Sequence, residues 1–215
     1  MQKSKRVYFV RHGQSLENVA PVFQSDDAPL SEVGKEQSRL VAKRLQQITF
    51  DVAITSPLKR TVQTANIITH ATGHQFVTSD LLVERKKPMS IQGKPYTDAR
   101  ASKVQRAWIN GFYTSEGHIE DGDNYKDLID RADKVLAYLQ ARDESSILVV
   151  SHHYFIATVL ARVLCGDALT GELLKQFHQR VLGGNASITV LRYEDAFEQD
   201  FCWRLLTYND HAHLL

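Results

Sequence analysis

Short apolar runs alternate with amphipathic stretches along the chain, and this alternation predicts strands interleaved with helices. Runs at residues 7–10, 52–54 and 147–150 are rich in β-branched residues, which favour strands. The third run is apolar throughout, as is typical of a parallel strand that is buried on both faces. Further strands are predicted over residues 76–83, 187–193 and 201–208, with one antiparallel strand at an edge of the sheet.

Helical periodicity fills the stretches between these runs. A helical pattern begins after Pro29-Leu30-Ser31, another runs from Asn124, and a third is expected over 154–164. Ser56-Pro57 predicts an N-cap and a first-turn proline, and Gly73 is expected to end that helix. Strands that alternate with helices imply an α/β fold, in which a mostly parallel sheet is covered on both faces.

One segment interrupts the alternation. Residues 84–122 are rich in glycine and proline around a single helix, near 99–112. We expect this segment to be an insertion that covers the core. The length of 215 residues suits one domain over residues 1–215, and no repeat or long linker divides it.

Composition excludes several classes of protein. The 26 Lys and Arg residues against 25 Asp and Glu leave a net charge of +1, which disfavours generic nucleic-acid binding. The 2 cysteines do not form a secreted disulfide framework. The most apolar stretch, 147–164, contains His152, His153 and Arg162 and does not resemble a membrane span. A cytoplasmic protein without membrane or nucleic-acid partners is expected.

Polar clusters follow two of the predicted strands, where ligands bind in open α/β sheets. Arg11-His12-Gly13 follows the first strand, Ser151-His152-His153 follows the strand at 147–150, and Arg60 lies one turn into a helix. An arginine matches phosphate oxygens bidentately, and a neutral imidazole is a nucleophile near pH 7. Each residue alone fits a structural role, and adjacent histidines on a strand point to opposite faces rather than to one metal. Together they favour a phosphate site.

The sequence here resembles the histidine phosphatases, also called the phosphoglycerate mutase-like superfamily. Val-Arg-His-Gly-Gln-Ser-Leu-Glu-Asn at 10–18 is similar to the signature that opens this family. The matching motifs follow in family order at Thr-Ser-Pro-Leu-Lys-Arg (55–60), Leu-Val-Glu (82–84), Val-Val-Ser-His (149–152) and Asn-Ala-Ser (185–187). One departure is His153, because many members have glycine at that position.

The resemblance implies a three-layer α/β/α sandwich in which residues 84–122 form a substrate cap. It also implies the role of each site residue. His12 is the nucleophile that forms a phosphohistidine, and Glu84 is the general acid and base. Phosphate binding is implied for Arg11, Asn18, Arg60 and His152, with a lesser role for His153.

The electrostatics of phosphoryl transfer agree with these roles. Positioning and charge stabilisation dominate this reaction, so positive charge must surround the phosphoryl group. Arg11, Arg60 and a protonated His152 are expected to supply it. No carboxylate-rich metal site is evident in the sequence, so we expect neither a metal nor another cofactor. The expected partner is a small-molecule phosphate ester, and the oligomeric state stays open, with a homodimer as one option.

Three functions remain open at this stage. Hydrolysis of phosphomonoesters is the first choice because the chain is compact between Glu84 and His152. Phosphoglycerate mutase-type transfer is the second, and a non-catalytic phosphate-binding module is the third. The basic residues of the presumed cap favour either a solvated surface or substrates with extra negative charge; they are Arg85, Lys86, Lys87, Lys94, Arg100 and Arg106. Four histidines without a motif partner are expected in surface or core positions: His70, His74, His118 and His178.

Overall fold

The computed structural model describes residues 4–114, 117–195 and 202–215. Within these residues, six strands form one sheet in the order β3-β2-β4-β1-β5-β6. The strands are β1 (Ser4–Arg11), β2 (Val52–Thr55), β3 (Phe76–Thr78), β4 (Ser146–Ser151), β5 (Ile188–Glu194) and β6 (Trp203–Asp210).

The sheet is mostly parallel, as predicted. Strands β1 to β4 pair in parallel, and β5 is antiparallel to both of its neighbours, β1 and β6. The antiparallel strand therefore lies one place in from the edge, whereas we expected it at the edge itself. The predicted strand at 76–83 is also shorter, because the chain turns into a 3-10 helix at Asp80–Leu82. The start of the strand predicted at 201–208 lies outside the described residues.

Helices cover both faces of this sheet. The helices are α1 (Leu16–Val19), α2 (Glu32–Leu45), α3 (Lys59–Thr72), α4 (Ala99–Phe112), α5 (Tyr125–Ala141), α6 (His153–Cys165) and α7 (Gly171–Arg180). Among these, α4 has the predicted bounds, and α7 was not predicted. None of the helices in the described ranges is long and apolar enough to cross a membrane.

Alternation along the strands produces two separate cores. Val7 and Phe9 of β1 pack in a cluster with α4, α5 and α6, whereas Tyr8 and Val10 pack in a cluster with α2 and α3. Successive side chains of a strand point to opposite faces, so one buried strand contributes side chains to both cores. The fold is therefore the predicted α/β/α sandwich.

The start of α3 differs from the prediction. Its N-cap is Leu58 rather than Ser56, and Pro57 precedes the helix instead of occupying its first turn. The Ser56 hydroxyl accepts from the Leu58 amide at 3.4 Å and also contacts Nε2 of His152 at 2.9 Å. Gly73 ends the helix as predicted, with φ of 73°, a left-handed conformation that favours glycine.

Residues 84–122, the presumed cap, are anchored to the body of the molecule through α4. Trp108 and Phe112 are each 1% exposed and belong to the core cluster around α5 and α6. An isolated β-bridge between Val22 and Pro95 joins the segment to the loop that follows α1. This loop and the presumed cap therefore lie side by side.

Candidate active site

His12 and His152 lie side by side at the carboxyl ends of adjacent strands. Strands β1 and β4 are parallel neighbours in which Arg11 pairs with Ser151, so the next residue of each strand is a histidine. The His12 amide donates a hydrogen bond to the Ser151 carbonyl at 3.0 Å. As a result, the two imidazole centroids are 5.2 Å apart, with their planes inclined at 60°.

The hydrogen bond at Nδ1 of His12 fixes its tautomer. Nδ1 lies 2.7 Å from the Gly13 carbonyl oxygen, which can only accept a hydrogen bond, so Nδ1 carries the proton. Burial lowers the pKa of His12 well below its ordinary value, and the positive charges of Arg60 and Arg11 lower it further. The neutral ring therefore presents Nε2 with a free electron pair, which is the form that a nucleophilic imidazole needs.

The imidazole of His152 contacts Ser56, a residue for which the sequence motifs indicated no role in the site. Its Nε2 lies 2.9 Å from the hydroxyl oxygen of Ser56. Burial, followed by the charge of Arg60, lowers the pKa of His152 well below its ordinary value. The neutral imidazole is therefore favoured at His152, and a protonated His152 that supplies positive charge to a bound phosphoryl group stays a prediction. Removal from water disfavours the charged imidazole, and the nearby arginines add to this penalty.

Arg11 and Arg60 supply the positive charge of the site. The guanidinium of Arg60 donates to the Ser25 carbonyl at 3.0 Å, and that of Arg11 donates to the Gly183 carbonyl. Three buried nitrogens around this site have no hydrogen-bond partner within the described part of the chain: Nε of Arg11, Nε of Arg60 and Nδ1 of His152. Buried polar atoms are rarely left unpaired, so these three nitrogens indicate a place where a ligand binds.

Glu84 reaches the site from the segment that follows β3. Its carboxylate accepts hydrogen bonds from the Phe155 amide at 3.0 Å and the Tyr154 amide at 3.2 Å, in the first turn of α6. Burial lowers the pKa of both Arg11 and Arg60, and the negative charge of Glu84 opposes this effect. The first turn of α6 thus orients the carboxylate, whose charge acts on the same two guanidinium groups that lower the pKa of His12.

Known proteins share this architecture and these motifs. The family model of the histidine phosphatase superfamily (branch 1) matches residues 7–211. The chain belongs to this superfamily. A curated relative, the probable phosphoglycerate mutase GpmB of Enterobacter sp. (strain 638), is 29% identical over 97% of this chain and 94% of the relative.

Solved structures include similar phosphatases. A mycobacterial glucosyl-3-phosphoglycerate phosphatase is 26% identical, has a TM-score of 0.74 and aligns over 96% of this chain and 99% of its own. A putative alpha-ribazole-5'-P phosphatase from Escherichia coli has a TM-score of 0.77 at 18% identity, over 96% of each chain, and supports the fold alone. Relatives of this histidine phosphatase therefore carry both phosphatase and mutase names.

Asn18 and His153 are the remaining predicted phosphate ligands. Asn18 is exposed, and its carboxamide oxygen accepts from the Ser15 amide at 3.0 Å in a capping box at the start of α1. His153 begins α6 and is partly buried, and burial followed by the charge of Arg11 lowers its pKa. A side chain on Gly183 would collide with the His153 ring, so glycine at 183 leaves room for it.

Two backbone segments complete the wall around His12. The Asn185 side chain donates to the His12 carbonyl at 3.0 Å, which places the predicted late loop against the site. A side chain on Gly13 would collide with the Gly34 carbonyl, so the turn after His12 requires glycine for close approach to α2. Both contacts fix the backbone that carries the imidazole.

The sequence predicted Ser56 as a helix N-cap and His178 as a surface or core residue, and it indicated no contact with the site for either. Ser56 belongs to the second motif, and its spacing from Arg60 was the available signal, but its contact with His152 depends on the packing of β2 against β4. His178 lies on the unpredicted α7. No group of His, Cys, Asp and Glu side chains in residues 4–114, 117–195 and 202–215 is arranged to hold a metal ion.

Proposed function

We propose that this histidine phosphatase is a phosphomonoesterase that acts on small phosphorylated metabolites through a phosphohistidine on His12. One observation supports this above all others: a neutral, buried imidazole with a free Nε2 beside guanidinium groups that have unpaired donors. Buried cations around a nucleophile stabilise the charge of a transferring phosphoryl group. Phosphate oxygens would bind Arg11, Arg60 and His152, with Asn18 and His153 at the periphery.

The reaction proceeds in two in-line displacements. In the first, Nε2 of His12 attacks phosphorus, an N–P bond forms, and the P–O bond to the leaving group breaks while Glu84 donates a proton to the departing oxygen. In the second, Glu84 accepts a proton from water, the resulting hydroxide attacks phosphorus, and the N–P bond breaks. Inorganic phosphate leaves and His12 is regenerated. Residues 84–122 would cover the leaving group, and no metal or other cofactor takes part.

Phosphoglycerate mutase-type transfer is the second candidate. The sequence favoured hydrolysis because the chain is compact, but it covers 94% of a relative named a probable phosphoglycerate mutase. Length therefore does not separate the two reactions. Transfer would use the same phosphohistidine and would differ only in the acceptor, which is a bound sugar acid instead of water.

The decisive experiment combines phosphoenzyme trapping with leaving-group dependence. Wild type, His12→Ala and Glu84→Gln are mixed with p-nitrophenyl phosphate in the presence of a chelator, and intact mass is recorded after a neutral quench. We expect a one-phosphoryl adduct in Glu84→Gln, no adduct in His12→Ala, and turnover in wild type. Glu84→Gln should slow the hydrolysis of an alkyl phosphate more than it slows formation of the adduct from p-nitrophenyl phosphate. An alkoxide needs a proton in order to leave, whereas nitrophenolate leaves without one.

Other outcomes would replace the proposal. An adduct that persists in His12→Ala would exclude His12 as the nucleophile. Conversion of 3-phosphoglycerate to 2-phosphoglycerate without phosphate release would establish the mutase reaction. A chain that binds phosphate but shows no adduct and no turnover with a broad panel of esters would be a binding module.

A further inference from the structure

The backbone that carries Glu84 is anchored by side chains from two distant elements. The Ser151 hydroxyl, at the end of β4, donates to the Leu82 carbonyl at 2.8 Å. The guanidinium of Arg131, on α5, donates to the Glu84 carbonyl itself at 3.2 Å. The general acid of the proposed reaction is therefore connected by one hydrogen bond to a charged residue that the mechanism has not used.

Asp123 extends the anchor that Arg131 provides. Its carboxylate forms an ion pair with Arg131 at 3.0 Å, and the same oxygen, Oδ2, accepts from the Lys86 amide at 2.8 Å. The Asp123 amide in turn donates to the Lys86 carbonyl at 2.9 Å. Arg131 and Asp123 together thus bind three backbone groups within residues 84–86, and these contacts fix the path of the chain as it leaves Glu84.

The ion pair between Arg131 and Asp123 is largely withdrawn from water. The two side chains are 17% and 14% exposed, respectively. The Asp123 carbonyl accepts from Nε1 of the buried Trp108 at 2.8 Å, which ties the pair to the core. An exposed ion pair is screened by solvent and holds its geometry poorly, whereas a shielded pair with additional hydrogen bonds is a fixed support.

Arg131 also contacts the helical turn that orients the Glu84 carboxylate. Its guanidinium carbon lies 5.3 Å from the centroid of the Phe155 ring. The amides of Phe155 and Tyr154 are the donors that hold the carboxylate. One guanidinium therefore supports both the backbone of Glu84 and the turn that binds its side chain. A general acid must lie within hydrogen-bond reach of the atom that it protonates, so a small displacement of this support lowers the rate.

The charge of Arg131 is a second route by which it could affect the site. Burial, followed by the charge of Arg60, accounts for most of the lowering of the His152 pKa, and Arg131 is the last of the charges that add to it. His152 is expected to bind the phosphoryl group, which all substrates share. An effect through His152 would therefore be the same for every ester, whereas an effect through Glu84 depends on the leaving group.

We propose that Arg131 and Asp123 are positioning residues for the general acid, and that they hold residues 84–86 so that the Glu84 carboxylate meets the leaving oxygen. This inference rests on the proposed function, because it takes the role of Glu84 from that function. Loss of the pair slows the departure of a leaving group that needs a proton. Departure of a leaving group that needs none is little affected.

Two esters with different leaving groups separate positioning from general damage. Benzyl alkoxide needs a proton in order to leave, whereas nitrophenolate leaves without one. We compare kcat/KM for benzyl phosphate and p-nitrophenyl phosphate in wild type, Arg131→Met and Arg162→Met. Arg162 is a matched control, because it also joins α5 to α6, through an ion pair with Asp133 at 2.6 Å. The ratio of kcat/KM for benzyl phosphate to that for p-nitrophenyl phosphate should fall about 10- to 100-fold in Arg131→Met and stay constant in Arg162→Met.

Asp123→Asn is a milder variant that keeps the test open if Arg131→Met does not fold. The amide retains an oxygen that accepts from the Lys86 amide but loses the charge that pairs with Arg131. We expect the ratio to fall about 3- to 10-fold in Asp123→Asn, as for one weakened hydrogen bond. Thermal unfolding of each variant checks that the protein is folded at the assay temperature.

The same substitutions in a Glu84→Gln background complete the test. If the pair acts through Glu84, then Arg131→Met and Asp123→Asn should not lower the ratio further in that background. An equal fall of kcat/KM for both esters in the single variants, or an equal change of the ratio in Arg162→Met, would overturn this inference alone. A ratio that Glu84→Gln leaves unchanged, or a wild type that hydrolyses neither ester, would instead refute the proposed function and this inference with it.

Discussion

Histidines are buried in two regions of this protein, and the two regions differ in whether the ring nitrogens have hydrogen-bond partners. In the active site, Nδ1 of His152 has no partner within the described residues, and Nε2 of His12 is free for chemistry. Behind α6, His178 lies among aromatic rings, and both of its nitrogens are paired. They contact the Tyr113 hydroxyl at 2.9 Å and the Thr158 hydroxyl at 3.0 Å.

The comparison shows that burial and a lowered pKa do not identify an active site by themselves. Burial lowers the pKa of His178 to about 3, and the pKa values of His12 and His152 are lowered for the same principal reason. An unpaired nitrogen of the imidazole itself distinguishes His152 from His178, whose two nitrogens are both paired. A perturbed pKa is therefore a functional signal only when the hydrogen-bonding capacity around it is incomplete.

The largest expected contrast comes from the same substitution in both regions. His12→Gln should lower kcat/KM for p-nitrophenyl phosphate by more than about 1,000-fold, because the amide cannot replace the nucleophile. His178→Gln should retain most of this activity and lower the free energy of unfolding by about 1 to 3 kcal/mol, because a buried hydrogen-bond pair is broken. Steady-state kinetics and urea unfolding measure the two effects. Comparable losses of activity would show that the regions are not functionally separate.

A second pair of substitutions tests the hydroxyl groups that contact the imidazole rings of His152 and His178. Ser56→Ala removes the partner of Nε2 of His152, and we expect kcat/KM to fall about 3- to 10-fold, the effect of one hydrogen bond. Thr158→Val removes a partner of His178 and should lower the free energy of unfolding by about 1 kcal/mol without changing kcat/KM. If Ser56→Ala alters stability but not kinetics, Ser56 is merely structural.

A third contrast concerns stability in acid. The pKa of His178 is 6.5 in its ordinary state and about 3 in the folded protein, so at intermediate pH only the unfolded chain takes up this proton. The stabilisation is complete above pH 6.5 and is lost as the pH falls towards 3, at a rate on the order of 1 kcal/mol per pH unit.

Urea unfolding between about pH 7 and about pH 4.5 tests this dependence. His178→Gln should show a shallower decline than wild type, and the remaining decline reflects His12, His152 and other groups whose pKa values are lowered in the fold. Identical slopes in wild type and His178→Gln would show that His178 is not kept neutral by the fold.

Much of the secondary structure could be predicted from the sequence. The helix at Ala99–Phe112 and the strand around 147–150 were identified because their side-chain patterns are local properties of the chain. The 3-10 helix at Asp80–Leu82 and the N-cap at Leu58 were not, because each depends on contacts with distant residues. Ser151, for example, donates its hydroxyl hydrogen bond to the Leu82 carbonyl at 2.8 Å.

The sequence by itself determined the family, the residues that its motifs single out as candidates and most of the elements that bear them, because motif order and periodicity are local properties of the chain. Only the tertiary structure decided that β1 and β4 pair in a register that brings His12 and His152 together. It also decided that burial lowers the pKa of His152 and that Ser56 contacts its Nε2. Strand register, burial and charge environment each depend on residues that are distant in sequence, so they cannot be predicted from a local sequence pattern.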